Sequence, residues 1–173
     1  MDNIILIGMP GAGKSTVGVL AAKALGYTFL DTDLLLQARQ GMLLQTILNI
    51  RGIEAFLSAE EAAIREISCG KTVIATGGSV VCEPSAMAHL KSLGKIIWLR
   101  VPLPELSKRL SDISTRGIAL EPGETLKDLF QSRSPLYQKY ADITVVASGQ
   151  RLEETVAMLL RELANYKTKD IDV

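Results

Sequence analysis

The sequence predicts an α/β fold, a three-layer α/β/α arrangement around a five-stranded parallel sheet. Short β-branched runs alternate with helical patterns along the chain. Such alternation calls for parallel strands joined by right-handed helical crossovers. Hydrophobic residues make up 47% of the chain and aromatics only 5%. That composition gives a Val/Ile/Leu/Ala core, suited to strands covered on both faces. At GMPGAGKS (8–15) a glycine-rich stretch links an apolar run to a helical one, which is the context of a phosphate-binding loop.

The elements follow in order. IILIG (4–8) reads as a buried strand, and Val17, Leu20, Ala21 and Ala24 recur at helical spacing until Gly26 stops them. TFLD (28–31) is a second strand. Helical patterns cover 33 to about 50 and about 53 to 68, and TVIAT (72–76) is a third strand ending in Gly77-Gly78. A short helix starts at 83–86, KIIWLR (95–100) is the fourth strand, and another helix begins near Pro102. Residues 111–124 are polar and glycine-bearing and read as a mobile lid. A helix then runs to a stop near Pro135. DITVVA (142–147) is the fifth strand, and Leu152, Val156, Leu159, Leu160 and Leu163 mark a closing amphipathic helix. The expectation is a single domain over 1–164 with a frayed, charged tail at 165–173.

Nineteen basic and nineteen acidic residues cancel, so nothing calls for nucleic acid or an anionic membrane as partner. Cys69 and Cys82 have no metal-ligand spacing and read as reduced thiols. The single histidine, His89, reads as an exposed helix-end residue. The N-terminal apolar run lacks a basic flank and is too short for a signal peptide. No run approaches a membrane span, and the expectation is a soluble, cytoplasmic monomer.

GMPGAGKS fits G-x-x-x-x-G-K-[ST]. Its glycines let consecutive amides turn inward on phosphate oxygens, and the helix that follows adds its positive N-terminal end. Gly11, Ala12, Gly13, Lys14, Ser15 and Thr16 are therefore candidate nucleotide-binding residues. Lys14 can reach the outer phosphates, and the Ser15 hydroxyl can ligate Mg²⁺. Asp31 ends the second strand, and ligands in open parallel sheets gather beyond the carboxyl ends of the strands. Asp31 can thus join Ser15 in the Mg²⁺ shell, because Mg²⁺ keeps several waters and needs few protein ligands. Asp33 starts a helix. It either caps that helix or holds the hydroxyl that receives the phosphate. Phosphoryl transfer depends on positioning and charge stabilisation, and Arg109, Arg116 and Arg133 surround the expected lid.

Taken together, GMPGAGKST, the DTD at 31–33, Phe56 with Glu60, ATGG at 75–78, Arg116 and RSPLYQKYAD at 133–142 resemble the shikimate kinase family. The resemblance spans Ile4 to about Leu163. It implies a P-loop kinase of the nucleoside-monophosphate-kinase type, using ATP and Mg²⁺. Lys14, Asp33 and Arg116 would be catalytic, and Arg109 would lie near adenine. Gly77 and Gly78 would pack against substrate, and Arg133 would pair with a substrate carboxylate. The chain departs from the family pattern at three positions. Ile53 stands in place of a glutamate, Leu57 in place of the arginine that grips the substrate carboxylate, and Ser79 in place of the third glycine of a triplet. Leu57, Glu60 and Ser79 are thus candidate substrate-site residues whose chemistry has changed.

The function expected is ATP-dependent phosphorylation of a hydroxyl on a small metabolite, with shikimate as the family candidate. Glu60 without its arginine would favour an acceptor with an ammonium group, such as homoserine, as an alternative. A second alternative is an ATP-binding regulatory protein without turnover. A GTPase switch is disfavoured by the lack of an Asn-Lys-x-Asp motif.

Overall fold

A computed structural model describes residues 3–111, 118–121, 123–149 and 151–169. Five strands, β1 (Asn3–Ile7), β2 (Thr28–Asp31), β3 (Thr72–Ala75), β4 (Gly94–Arg100) and β5 (Ile143–Val146), form one sheet in the order β2-β3-β1-β4-β5. Every pairing is parallel. β1 holds the centre, and all five of its residues are buried. Each Ile or Leu side chain removed from water there contributes roughly 1.5–3 kcal/mol.

The helices are α1 (Lys14–Leu25), α2 (Thr32–Gln40), α3 (Leu44–Arg65), α4 (Pro84–Leu93), α5 (Leu103–Ser111), α6 (Leu126–Tyr140) and α7 (Leu152–Lys169), with a 3-10 turn at Val80–Cys82. From β1 the chain winds to β2 on one side of the sheet, and from β3 it crosses to β4 on the other. β1 therefore stands at the switch point where such sheets bind ligands. Register aligns the strand ends there, with Leu6 opposite Ala75 and Ala75 opposite Asp31.

Four expectations are corrected. The helical pattern from 33 to 50 breaks at Gly41, whose left-handed φ of 66° caps α2. The expected break before residue 53 is present: Gly52 (φ 78°, ψ 174°) leaves helical geometry and kinks α3 into two segments. α6 does not stop at Pro135. Gln131 and Pro135 are both exposed, so water can take the carbonyl that the proline leaves unbonded. α7 extends to Lys169, so residues 165–169 are helical rather than frayed. Tyr166 packs on the core there and accepts a 3.1 Å hydrogen bond from Lys95 Nζ. Finally, His89 is half-buried in α4, with Nε2 2.8 Å from the Ile67 carbonyl.

A second, smaller apolar cluster sits beside α2 and α3, built on Leu36, Ile47, Phe56, Ala63 and Ala119. Ile53 and Leu57 pack against it. Four residues apart, they share one helix face. Two positions that are charged in the family pattern have become one apolar patch.

Candidate active site

A cavity of about 410 Å³ opens at the carboxyl ends of the central strands, lined by Gly11, Gly13, Lys14, Ser15, Asp31 and Asp33 among others. The loop before α1 is wound by glycine. Gly11 and Gly13 have φ of 78° and 91°, and a Cβ on Gly8 would lie 2.6 Å from the Leu99 carbonyl oxygen. Lys14 is 8% exposed and donates to the carbonyls of Gly8 (2.6 Å) and Met9 (2.9 Å). Ser15 and Thr16 are exposed at the start of α1. Ala12 differs: its side chain is buried, and its N–H donates to the Met9 carbonyl at 3.1 Å. Arg109 does not lie free beside the loop. Its Nη1 donates to the carbonyls of Gly11 (3.2 Å) and Ala12 (3.4 Å), and its Nη2 pairs with Glu105. Arg116 and half of the segment 111–124 (residues 112–117 and 122) lie outside the described residues.

The two aspartates divide their work. Asp31, not Asp33, caps α2: its Oδ1 accepts the N–H groups of Asp33 (2.9 Å) and Leu34 (3.4 Å). Asp33 is half-buried and lines the cavity. Thr32 between them had no role in the sequence reading. It is 2% exposed and accepts the Gly77 N–H at 3.1 Å, which ties α2 to the segment after β3.

That segment explains its glycines by close approach. A Cβ on Gly77 would lie 2.2 Å from Glu60 Oε1 and 3.0 Å from Asp33 Oδ1. One on Gly78 would lie 2.6 Å from Pro10 Cδ. Tyr137, also missed from sequence, donates its hydroxyl to the Gly78 carbonyl at 2.6 Å and stacks on Trp98. Its signal was present in RSPLY, but only the tertiary contact tells a buried donor from a surface tyrosine.

Glu60 is 2% exposed and receives the Ser79 hydroxyl at 2.6 Å on Oε2. Its Oε1 is buried without a hydrogen-bond partner. Burial pushes its carboxyl up to about 7, and the Asp33 charge adds to the rise. The Ser79 hydrogen bond and the charges of Arg133 and Lys14 act against it. Arg133 is 6% exposed; its Nη2 donates to the Ala119 carbonyl at 3.1 Å, and its charge acts on Tyr137 and Cys82. Leu57, expected at the substrate, belongs to the second apolar cluster, and the cavity lining includes neither it nor Glu60, Gly77, Ser79 and Arg133. A half-buried leucine gains more among Ile53 and Phe56 than against water.

The family model for shikimate kinase matches residues 10–164. The chain belongs to the shikimate kinase family. Relatives in this family include the shikimate kinase of Thiobacillus denitrificans, 37% identical over 94% of this chain and 90% of the relative. The shikimate kinase of Thermodesulfovibrio yellowstonii is 38% identical over 97% of this chain and all of its own length. Among solved structures, the shikimate kinase of Acinetobacter baumannii in complex with shikimate matches with a TM-score of 0.86 at 28% identity, covering 96% of this chain and 95% of that one. The Aquifex aeolicus enzyme matches with a TM-score of 0.81 at 32% identity over 94% of this chain and 96% of that one. As a member of this family, the chain is an ATP-dependent small-molecule kinase, and the reading as a binder without turnover is not favoured. Among the described residues no helix is long and apolar enough to cross a membrane.

Proposed function

We propose that this chain transfers the γ-phosphate of ATP to a hydroxyl of shikimate. The observation that carries the reading is one cavity with the phosphate loop, Ser15, Asp31 and Asp33 on its wall; a buried Arg133, outside that lining, has no acidic partner among the described residues. Lys14 and the loop amides hold the outer phosphates, with the N-terminal end of α1 adding positive potential. Mg²⁺ fits the donor set of one hydroxyl and one carboxylate, Ser15 and Asp31. It supplies charge neutralisation between the phosphates. Asp33 orients the acceptor hydroxyl and takes its proton. Arg133 holds the acceptor's carboxylate, the task left to it once Leu57 turned into the apolar cluster.

Homoserine is the weaker acceptor on the same grounds. Its ammonium calls for an ionised Glu60 open to ligand, whereas Glu60 is buried, bound to a hydroxyl and pushed toward neutrality. Two free thiols, Cys69 and Cys82, suit a reducing cytoplasm.

Coupled ADP release with Mg²⁺-ATP tests the reading. Shikimate should drive turnover, homoserine should not, and Asp33→Asn should bind ATP but transfer nothing. ADP release that is indifferent to shikimate sinks the proposal.

A further inference from the structure

Two buried groups of opposite character face each other here without pairing. Glu60 and Arg133 are 2% and 6% exposed, and the Arg133 charge acts on Glu60. Buried arginine and glutamate normally form an ion pair, because each is costly to bury alone. No Glu60–Arg133 ion pair exists among the described residues. Instead Arg133 donates to the Ala119 carbonyl, and Glu60 takes the Ser79 hydroxyl.

We propose that Ser79 is a positioning residue that holds Glu60 away from Arg133, so that the guanidinium stays available for the carboxylate of the acceptor. The proposal rests on the shikimate reading above and adds the control of its Arg133 contact. Ser79 sits just before the 3-10 turn at Val80–Cys82, while Glu60 projects from α3. A 2.6 Å hydrogen bond across that gap fixes the rotamer of the longer side chain. A glycine at 79 offers no such anchor. A neutral Glu60 carboxyl exerts little pull on the guanidinium, whereas an ionised one competes with the ligand carboxylate for the same donors.

The groups facing Glu60 support a neutral state. Asp33 of α2 and burial favour the proton, while Lys14 of α1, Arg133 of α6 and the Ser79 hydroxyl favour its loss. Cys82 and Tyr137 complete the surroundings, and both feel the Glu60 charge. The balance leaves the carboxyl near half-ionised at about pH 7. The acceptor KM should therefore be flat below neutrality and rise above it, as Glu60 ionises and draws on Arg133.

The experiment is steady-state kinetics with shikimate from pH 6 to 9 on four proteins: wild type, Ser79→Ala, Glu60→Gln and the double variant. Ser79→Ala should raise the acceptor KM about tenfold at pH 9, where Glu60 is ionised and no longer anchored, the cost of a competing charged hydrogen bond, and change it little at pH 6, where losing the hydroxyl favours the Glu60 proton further, with kcat within about twofold throughout. Glu60→Gln should lose the rise of the acceptor KM above neutral pH. The double variant should return to the Glu60→Gln value, because no carboxylate is left to compete. A purely packing role for Ser79 gives a defect that Glu60→Gln does not rescue, and that result overturns the inference, as does an unchanged KM in Ser79→Ala at pH 9. A wild-type protein inert toward shikimate fails differently: it overturns the acceptor reading itself, and this inference with it.

Discussion

The Tyr137 hydroxyl donates a 2.6 Å hydrogen bond to the Gly78 carbonyl, so α6 holds the segment that follows β3. Burial raises the Tyr137 pKa, which keeps the phenol protonated as a donor. Trp98 of β4 stacks on the ring at 5.9 Å between centroids and fixes its direction. Tyr137→Phe should lower stability by about 1 kcal/mol. It should also raise the acceptor KM, since Gly78 then drifts from Pro10. Urea unfolding and KM measured on one preparation check both parts. An unchanged KM would mean that Pro10 alone places Gly78.

Gly78→Ala forces a Cβ to within 2.6 Å of Pro10 Cδ, a ring atom of the phosphate loop. Overpacking of this kind costs about 1–3 kcal/mol. Gly70→Ala is the control, because nothing lies within 4 Å of its added Cβ. Thermal melts should show a clear drop for the first and almost none for the second.

Lys14 holds the Gly8 and Met9 carbonyls through one ammonium group. Lys14→Ala removes that brace together with the positive charge aimed at the phosphates. We expect kcat to fall by about 10²–10³, the scale seen when a positioned charge-stabilising donor is removed. Nucleotide titration should show weaker ATP binding in the same variant. Wild-type turnover by Lys14→Ala would remove it from the chemistry.

Glu60 gives stability a defined pH dependence. Burial holds its carboxyl at about 7 in the folded chain, against an ordinary value of 4.5. Between those values the folded state holds the proton and the unfolded state has lost it. Its contribution is therefore greatest at acid pH and declines as pH rises toward about 7 and beyond. The full span is on the order of 3 kcal/mol. Denaturant midpoints at pH 5 and pH 8 should separate more for wild type than for Glu60→Gln. Equal separations would show that Glu60 does not hold its proton in the folded state.

The legible parts of this chain were those whose cause is local. The phosphate loop could be read from glycine spacing and an adjoining helix, and Asp31 from its place at a strand end. The five strands were visible as short β-branched runs. What escaped was set by distant partners or by backbone detail. The state of Glu60 depends on Ser79, and that of Leu57 on an apolar cluster including Leu36 and Ala119. The helix cap fell to Asp31 because that residue, not Asp33, has the extended backbone of a cap (φ −110°, ψ 120°). Pro135 looked like a stop, but a proline breaks a helix only where its lost hydrogen bond and its ring cannot be accommodated. The carbonyl it leaves unbonded is near solvent.

The bend at Gly52 has φ 78° and ψ 174°, backbone that side-chain-bearing residues rarely adopt. It divides α3 into two rods. The first carries Leu44 and Gln45 on the cavity wall, and the second carries Glu60 beneath Gly77. A change in one rod is thus not transmitted along a continuous hydrogen-bonded ladder to the other. Gly52 is therefore a joint: the segment at the cavity entrance and the segment that sets Glu60 beneath Gly77 are separate rigid pieces, and Ile53 and Leu57 travel with the second.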